Sequence, residues 1–140
     1  MNNSQHSIQL IQAYYSAFNQ ADWPTMLALL DDDVVHDLNQ GEREIGRKQF
    51  SVFLQRMQRC YLERLTQIQI MATADGKRAA AEYVVNGLYL STDRGLPEAQ
   101  QQSYVLSGGA FFEIADTKIT RVSNYYNLQK WLQQISEQKS

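Results

Sequence analysis

The chain has 140 residues, 44% of them hydrophobic and 20% charged, with a formal charge of −2 and a pI near 5.6. The balance provides no basic field, which excludes the electrostatic footprint of a nucleic-acid binder, and no apolar run approaches the ~18 residues of a membrane span. Two histidines and one cysteine exclude an internal disulfide and a zinc set, so no metal and no cofactor are expected.

At this length the chain reads as a single domain, residues 1–140, with a core burying roughly two-thirds of its unfolded surface. Ile8, Leu10, Ile11, Tyr14, Tyr15 and Phe18 recur at helical spacing, predicting an amphipathic helix from about Ser7 to Asn19. Gln20-Ala21-Asp22 breaks it. Pro24 suits the first turn of a short second helix whose buried side is Met26, Leu27, Leu29 and Leu30, ending at Asp31-Asp32-Asp33. Next comes VVHDLNQGE, in which a strand over Val34–Leu38 carries His36 beside Asp37. Phe50, Phe53, Leu54, Met57 and Tyr61 then mark one face of a third helix starting near Gly46.

From Leu65 onward the period changes to two. Ile68, Ile70 and Ala72 alternate with polar residues up to Asp75-Gly76, a hairpin signal, so Arg78–Ser91 should pair back antiparallel. STDRGLPEAQQQ reads as a polar loop, available as a rim for a cavity or as a contact with a second subunit. SYVLSGGAFFEI is a third long strand in which Gly108 and Gly109 are expected to permit a bulge. Asp116-Thr117 turns into a fourth, KITRVSNYYN, and Asn127 is placed to cap a last helix with Leu128, Trp131, Leu132 and Ile135 on one face. Helices first and antiparallel strands after them predict an α+β domain, a curved antiparallel sheet wrapped around the N-terminal helices and leaving a cone-shaped cavity.

Within the predicted strand, side chains alternate, so either His36 or Asp37 faces the cavity. An inward His36 has an imidazole able to act as general base near neutrality; an inward Asp37, desolvated by Trp23, Phe50 and Phe53, would have its pKa raised for proton abstraction beside a carbonyl. The structural alternative is a histidine holding a buried partner and an aspartate anchoring the turn. Glu82, Asn86 and Tyr104 alternate within strands of apolar neighbours. An inward Glu82 would be a second acid/base, an outward one a surface carboxylate. Asn124 shares parity with Val122 and Tyr126 and can orient a ligand carbonyl. Phe50, Phe53, Met57 and Phe112, with Trp23 and Tyr126, complete an expected ligand-binding lining. Cys60, on the third helix beside Arg59, has no identifiable histidine partner for nucleophilic chemistry.

The order of elements, with LLDDDVV closing the second helix, the GEREIG turn before the third and KITRVSNYYN before the last, resembles the nuclear transport factor 2-like fold from about Ile8 to Ile135. Within it the chain is most similar to SnoaL-like and ketosteroid isomerase-related proteins, a superfamily of isomerases, cyclases, dehydratases, epoxide hydrolases and noncatalytic binding proteins. The resemblance places Tyr14 where the steroid isomerases carry a tyrosine that donates to the substrate oxygen. It places Leu38 where their general base stands, with Asp37 one residue away, and Ala110 where their protonated aspartic acid stands. Where SnoaL-type cyclases carry an acid on the final strand, this chain has Asn124 to Asn127. The resemblance therefore implies a small-molecule-binding domain, not a true ketosteroid isomerase. Two expectations remain: a cofactor-independent acid/base enzyme for a small apolar carbonyl compound or epoxide, or a noncatalytic binding or scaffold protein. It also implies a homodimer through the sheet; the lone cysteine and the lack of a secretory pattern in MNNSQHSIQ point to the cytoplasm.

Overall fold

A computed structural model describes residues 2–137 of the chain. Four helices and six strands follow in the order α1 (Asn3–Asn19), α2 (Trp23–Ala28), β1 (Leu30–Asp37), β2 (Arg43–Ile45), α3 (Arg47–Cys60), β3 (Tyr61–Ala72), β4 (Arg78–Tyr89), β5 (Ser103–Ala115), β6 (Lys118–Tyr126) and α4 (Leu128–Glu137). The strands form one sheet in the order β2-β1-β6-β5-β4-β3. All neighbours run antiparallel except β1 and β6, which are parallel, so the predicted α+β fold with a curved antiparallel sheet is present, with one parallel pair that joins its first long strand to its last.

Helix α1 starts at Asn3, ahead of the expected Ser7, because Asn2 and Gln5 form a reciprocal capping box that satisfies two orphan donors. Asp22 caps α2 with Pro24 in its first turn, and Asn127 caps α4 through Lys130 N. Tyr61 is not helical: α3 runs directly into β3, where Tyr61 stacks on Tyr89 at 5.5 Å. The early start of β3 brings residues 61–64 into the sheet.

Gly108 and Gly109 make no bulge, since the β4–β5 register passes through Tyr83–Gly108 and Glu82–Gly109 unbroken. Their neighbour explains at least the first: a Cβ on Gly108 would lie 2.7 Å from Tyr83 Cε1, so the glycine leaves room for a ring laid across the strand. The bulges fall elsewhere, between Thr66 and Gln69 and between Glu113 and Ile114. At the first, Gln67 has φ of 53°, and just before it the Asn19 side chain brackets Leu65, donating to its carbonyl and accepting from its N–H.

Alternation sends Ala79, Ala81, Tyr83 and Val85 of β4 and Tyr104, Leu106, Ala110 and Phe112 of β5 inward against α1 and α4. The small alanines make room for rings: Tyr14 and Tyr15 of α1 meet Phe112 edge-on at 5.6 and 6.0 Å. Such pairs add about 0.5–1.5 kcal/mol each beyond the apolar area they bury. The sheet thus curls around an aromatic interior bounded by α1, α3 and α4.

Candidate functional site

Parity decides between the two residues of the His36-Asp37 pair. Val34 and His36 point inward and are buried, His36 being 1% exposed, while Asp37 lies on the outer face. There Asp37 accepts from Arg43 Nε at 2.6 Å, Arg121 Nε at 2.8 Å and Ser123 Oγ at 2.8 Å. These partners, Arg43 foremost, hold its carboxyl well below the usual carboxylate range. Arg121 continues the network to Glu113 at 2.7 Å. Asp37 is therefore a tied ionic node outside the cone, without the apolar desolvation that a raised pKa requires.

His36 sits in an aromatic wall. Its ring stacks on Phe50 at 4.3 Å and meets Phe53 edge-on at 4.7 Å, both from α3. Asn124 Nδ2, on the neighbouring strand β6, lies 3.1 Å from Nε2. An amide N–H donating to Nε2 leaves the imidazole proton on Nδ1, which faces Glu44 Oε1 at 4.0 Å; among the described residues neither of those two buried atoms has a hydrogen-bond partner. Burial pushes the imidazole pKa down from 6.5 to about 4, with the cation of Arg56 adding to it against the pull of Asp37. At neutral pH the ring is uncharged, Nε2 serving as the acceptor and Nδ1 carrying the proton.

Tyr14 is buried on α1, and desolvation pushes its phenol well above its ordinary value, so it can donate but not act as a base. Phe112 belongs to the fully buried core beneath it. Asn124 and Tyr126 share the inner face of β6, Tyr126 remaining 37% exposed at its end. Phe53, Met57 and Trp23 are partly buried on α3 and α2; Trp23 packs edge-on against Phe18 at 5.8 Å and donates to Gln58 Oε1. The structure thus brings Tyr14, His36, Phe50, Phe53, Phe112, Asn124 and Tyr126 to one interior, with Met57 and Trp23 at its margin.

Two expected lining residues lie elsewhere. Glu82 is outward and exposed, because Ala81 and Tyr83 take the inward positions of β4. Asn86 shares that outward parity and donates to Arg64 O and Thr66 Oγ1. A groove of about 670 Å³ is lined from both faces of the sheet, by Glu82, Val84 and Tyr125 of the outer parity and by Tyr83, Gly108 and Tyr126 of the inner, with Asn39 and Gln40 from the turn after β1. Tyr104 is inward and buried, but its hydroxyl is already engaged, donating to Glu63 Oε2 at 2.5 Å.

Glu63 was missed from the sequence. It alternates with Tyr61 and Leu65, both buried, and that alternation was the available signal; starting the strand at Leu65 hid it. The loop over residues 91–102 is likewise more than solvated. Gln102 is buried and donates to Glu98 O and Ile135 O at 2.9 Å, while Tyr61 donates to Asp93 at 2.6 Å. Among the described residues no group of three or more acidic, histidine or cysteine side chains is placed to hold a metal ion, and no helix is long and apolar enough to cross a membrane.

A mixed sheet curled around helices, with polar side chains projecting into an aromatic interior, is the architecture of the nuclear transport factor 2-like proteins. Residues 11–122 match the SnoaL-like domain, and the chain belongs to that family. A proposed polyketide cyclase from Xanthomonas campestris pv. campestris is 57% identical, with 96% of this chain and 99% of that one covered at a TM-score of 0.93. A second proposed polyketide cyclase, from Pseudomonas putida, is 53% identical, covering 96% and 98% at a TM-score of 0.92. An LEH-like epoxide hydrolase from M. tuberculosis shares the fold at 19% identity, covering 97% and 89% with a TM-score of 0.74. No curated protein sequence matches the chain significantly.

Proposed function

We propose that the cone interior binds a small, largely apolar molecule carrying a carbonyl or an epoxide and performs acid/base chemistry on it without a resident cofactor. The reaction class is isomerisation, cyclisation or epoxide opening. The observation that carries this reading is the His36 imidazole, kept neutral by burial and held by Asn124 against Phe50 and Phe53. The imidazole can take a proton at Nε2 once the Asn124 amide turns from it to a ligand oxygen, so the same amide that holds the ring at rest orients the acceptor during reaction. Tyr14, retained as a phenol, is assigned the donor role. The likeness to proteins proposed as polyketide cyclases supports a carbonyl-rich ligand.

Exchange of solvent deuterium into the α-position of a panel of cyclic ketones, together with hydration of a matched epoxide panel, tests the reading. Wild type should catalyse one of the two, and His36→Gln should lower that rate by roughly 10²-fold or more. If no probe reacts although aromatic ketones bind, the second reading holds, a noncatalytic binding domain. That reading is favoured by the near-complete cover of His36.

The homodimer belongs to this proposal as well. Leu62, Val105, Phe111 and Tyr125 are more than half exposed on the outer face of the sheet, an apolar surface suited to a second copy. The reading of residues 1–140 as one domain is supported by the single continuous sheet, and cytoplasmic residence by the unpaired Cys60.

A further inference from the structure

The His36-Asp37 pair meets a mirror pair on the neighbouring strand. Strand β2 has three residues and forms one edge of the sheet, and its register sets Arg43 opposite Asp37 and Glu44 opposite His36. Directly opposed residues share a face, so Arg43 joins the outer network while Glu44 turns in beside the imidazole. Glu44 Oε1 lies 4.0 Å from His36 Nδ1. Both atoms are buried, and among the described residues neither has a hydrogen-bond partner.

This placement bears on which ring nitrogen carries the lone pair. Phe50, stacked at 4.3 Å, and Phe53, edge-on at 4.7 Å, confine the ring, so the nitrogens keep their places and only the proton can change sides. Asn124 does not decide where the proton sits. By a half-turn an amide presents its carbonyl where its N–H stood, and so serves Nε2 as donor or as acceptor. A carboxylate oxygen has no such choice: an N–H at Nδ1 relieves it, and a lone pair there repels it. The other charges that act on the ring are Asp37, from its own strand, and Arg56 of α3. Asp37 is engaged on the opposite face by Arg43 and Arg121, which leaves Glu44 as the carboxylate aimed at a ring nitrogen.

We propose that Glu44 is a positioning residue, which holds the His36 proton on Nδ1 and so keeps the basic lone pair on Nε2. The assignment rests on the reading of His36 as the base of the interior and names the residue that selects its reactive nitrogen. When Nε2 takes a proton from the ligand, the ring becomes a cation whose Nδ1–H still faces Glu44. A closure of about 1 Å then turns the facing pair into a charge-assisted hydrogen bond. The positive charge formed in the step meets its counter-charge without a change of partner. Glu44 neither touches the ligand nor takes up the proton.

The long-range ¹H–¹⁵N spectrum of the imidazole nitrogens at pH 7 reads the tautomer directly, with His36→Gln distinguishing the His36 signals from those of His6. Wild type should show Nδ1–H alone, the form that a free histidine side chain disfavours in water. Glu44→Leu should move the ring towards Nε2–H, with the Asn124 amide turned to accept. On any ketone or epoxide that reacts, the same variant should lower kcat by roughly tenfold or more while KM stays within about twofold of wild type. An Nε2–H ring in wild type, an Nδ1–H ring that persists in Glu44→Leu, or an undiminished kcat in that variant overturns the role of Glu44. The spectra need no substrate, so the predicted tautomers in a protein that turns over no probe uphold that role and sink the base reading instead. The wild-type spectrum needs no change at Glu44, so a misfolded variant does not blunt the test.

Discussion

Acid should weaken this protein through His36 before it reaches the carboxylates. The unfolded chain takes up a proton near pH 6.5, whereas the folded chain resists it until about pH 4. Between those values the unfolded state binds more protons, so the contribution of His36 is full above about pH 6.5 and falls as pH drops towards 4, by at most roughly 3 kcal/mol. Urea midpoints at pH 7 and pH 5 should differ in wild type and converge in His36→Gln. Glu63 acts with the opposite sign: its folded pKa is raised, so its contribution is lost as pH climbs through that raised value. At Gly87 the expected result is steric. Gly87→Ala should cost about 2–3 kcal/mol in urea unfolding, and adding Tyr104→Leu should return part of it, a non-additivity that a double-mutant cycle measures. Residue-level reading of the sequence separated cleanly into what parity can decide and what it cannot. That one of His36 and Asp37 faces inward follows from alternation alone. Which one it is depends on the pairing of β1 with Ser123 and Val122, more than eighty positions away along the chain.

At the scale of elements, the long period-2 and period-3.6 segments were legible because each buries one apolar face; their ends were not, because ends are set by individual side-chain bonds. Asn2 with Gln5 extends α1, and Tyr61 leaves α3 for the sheet. The β3–β4 hairpin shows how such bonds lock an element. Ser7 Oγ donates to Gly76 O at 2.5 Å, and Gly76, at φ of +73°, would place a Cβ 2.5 Å from Asn3 O. Ser7→Ala should lower stability by about 1 kcal/mol, and Gly76→Ala by more, since it adds backbone strain to the clash; thermal unfolding of the two variants checks the order. The loop over residues 91–102 is the counterpart at the other end. Its composition is that of a solvated turn, yet Gln102 ties it to the carbonyl of Ile135 in α4. Gln102→Ala should cost roughly 1–3 kcal/mol and speed amide exchange in α4 ahead of the rest of the molecule. Nothing in STDRGLPEAQQQ distinguishes the third glutamine from the first two; only the position of α4 does.

For the whole molecule, the architecture could be read from the order of helices and strands, whereas the sites could not, because they are assembled across strands. His36 meets Asn124, and Glu63 meets Tyr104, through a register that local pattern does not encode. The outer face carries the one prediction that belongs to the assembly. If two copies pair through this face as proposed, Phe111→Arg should shift light scattering from the mass of a dimer to that of a monomer, with little change in the fold, because Phe111 is already 53% exposed in the single chain. The parallel pairing of β1 with β6 has a consequence in time. Strand β1 is made early, but its only long partner ends at Tyr126, and Asn124 follows His36 by 88 positions. During synthesis β1 has β2 and α3 to pack against, but its long partner β6 is made only after β3, β4 and β5, so the contact that ties His36 to Asn124 is the last that can form. Such long-range closure is slow relative to hairpin formation. A nascent chain stalled before residue 118 should stay sensitive to protease in its first forty residues, and one released beyond residue 126 should become resistant there.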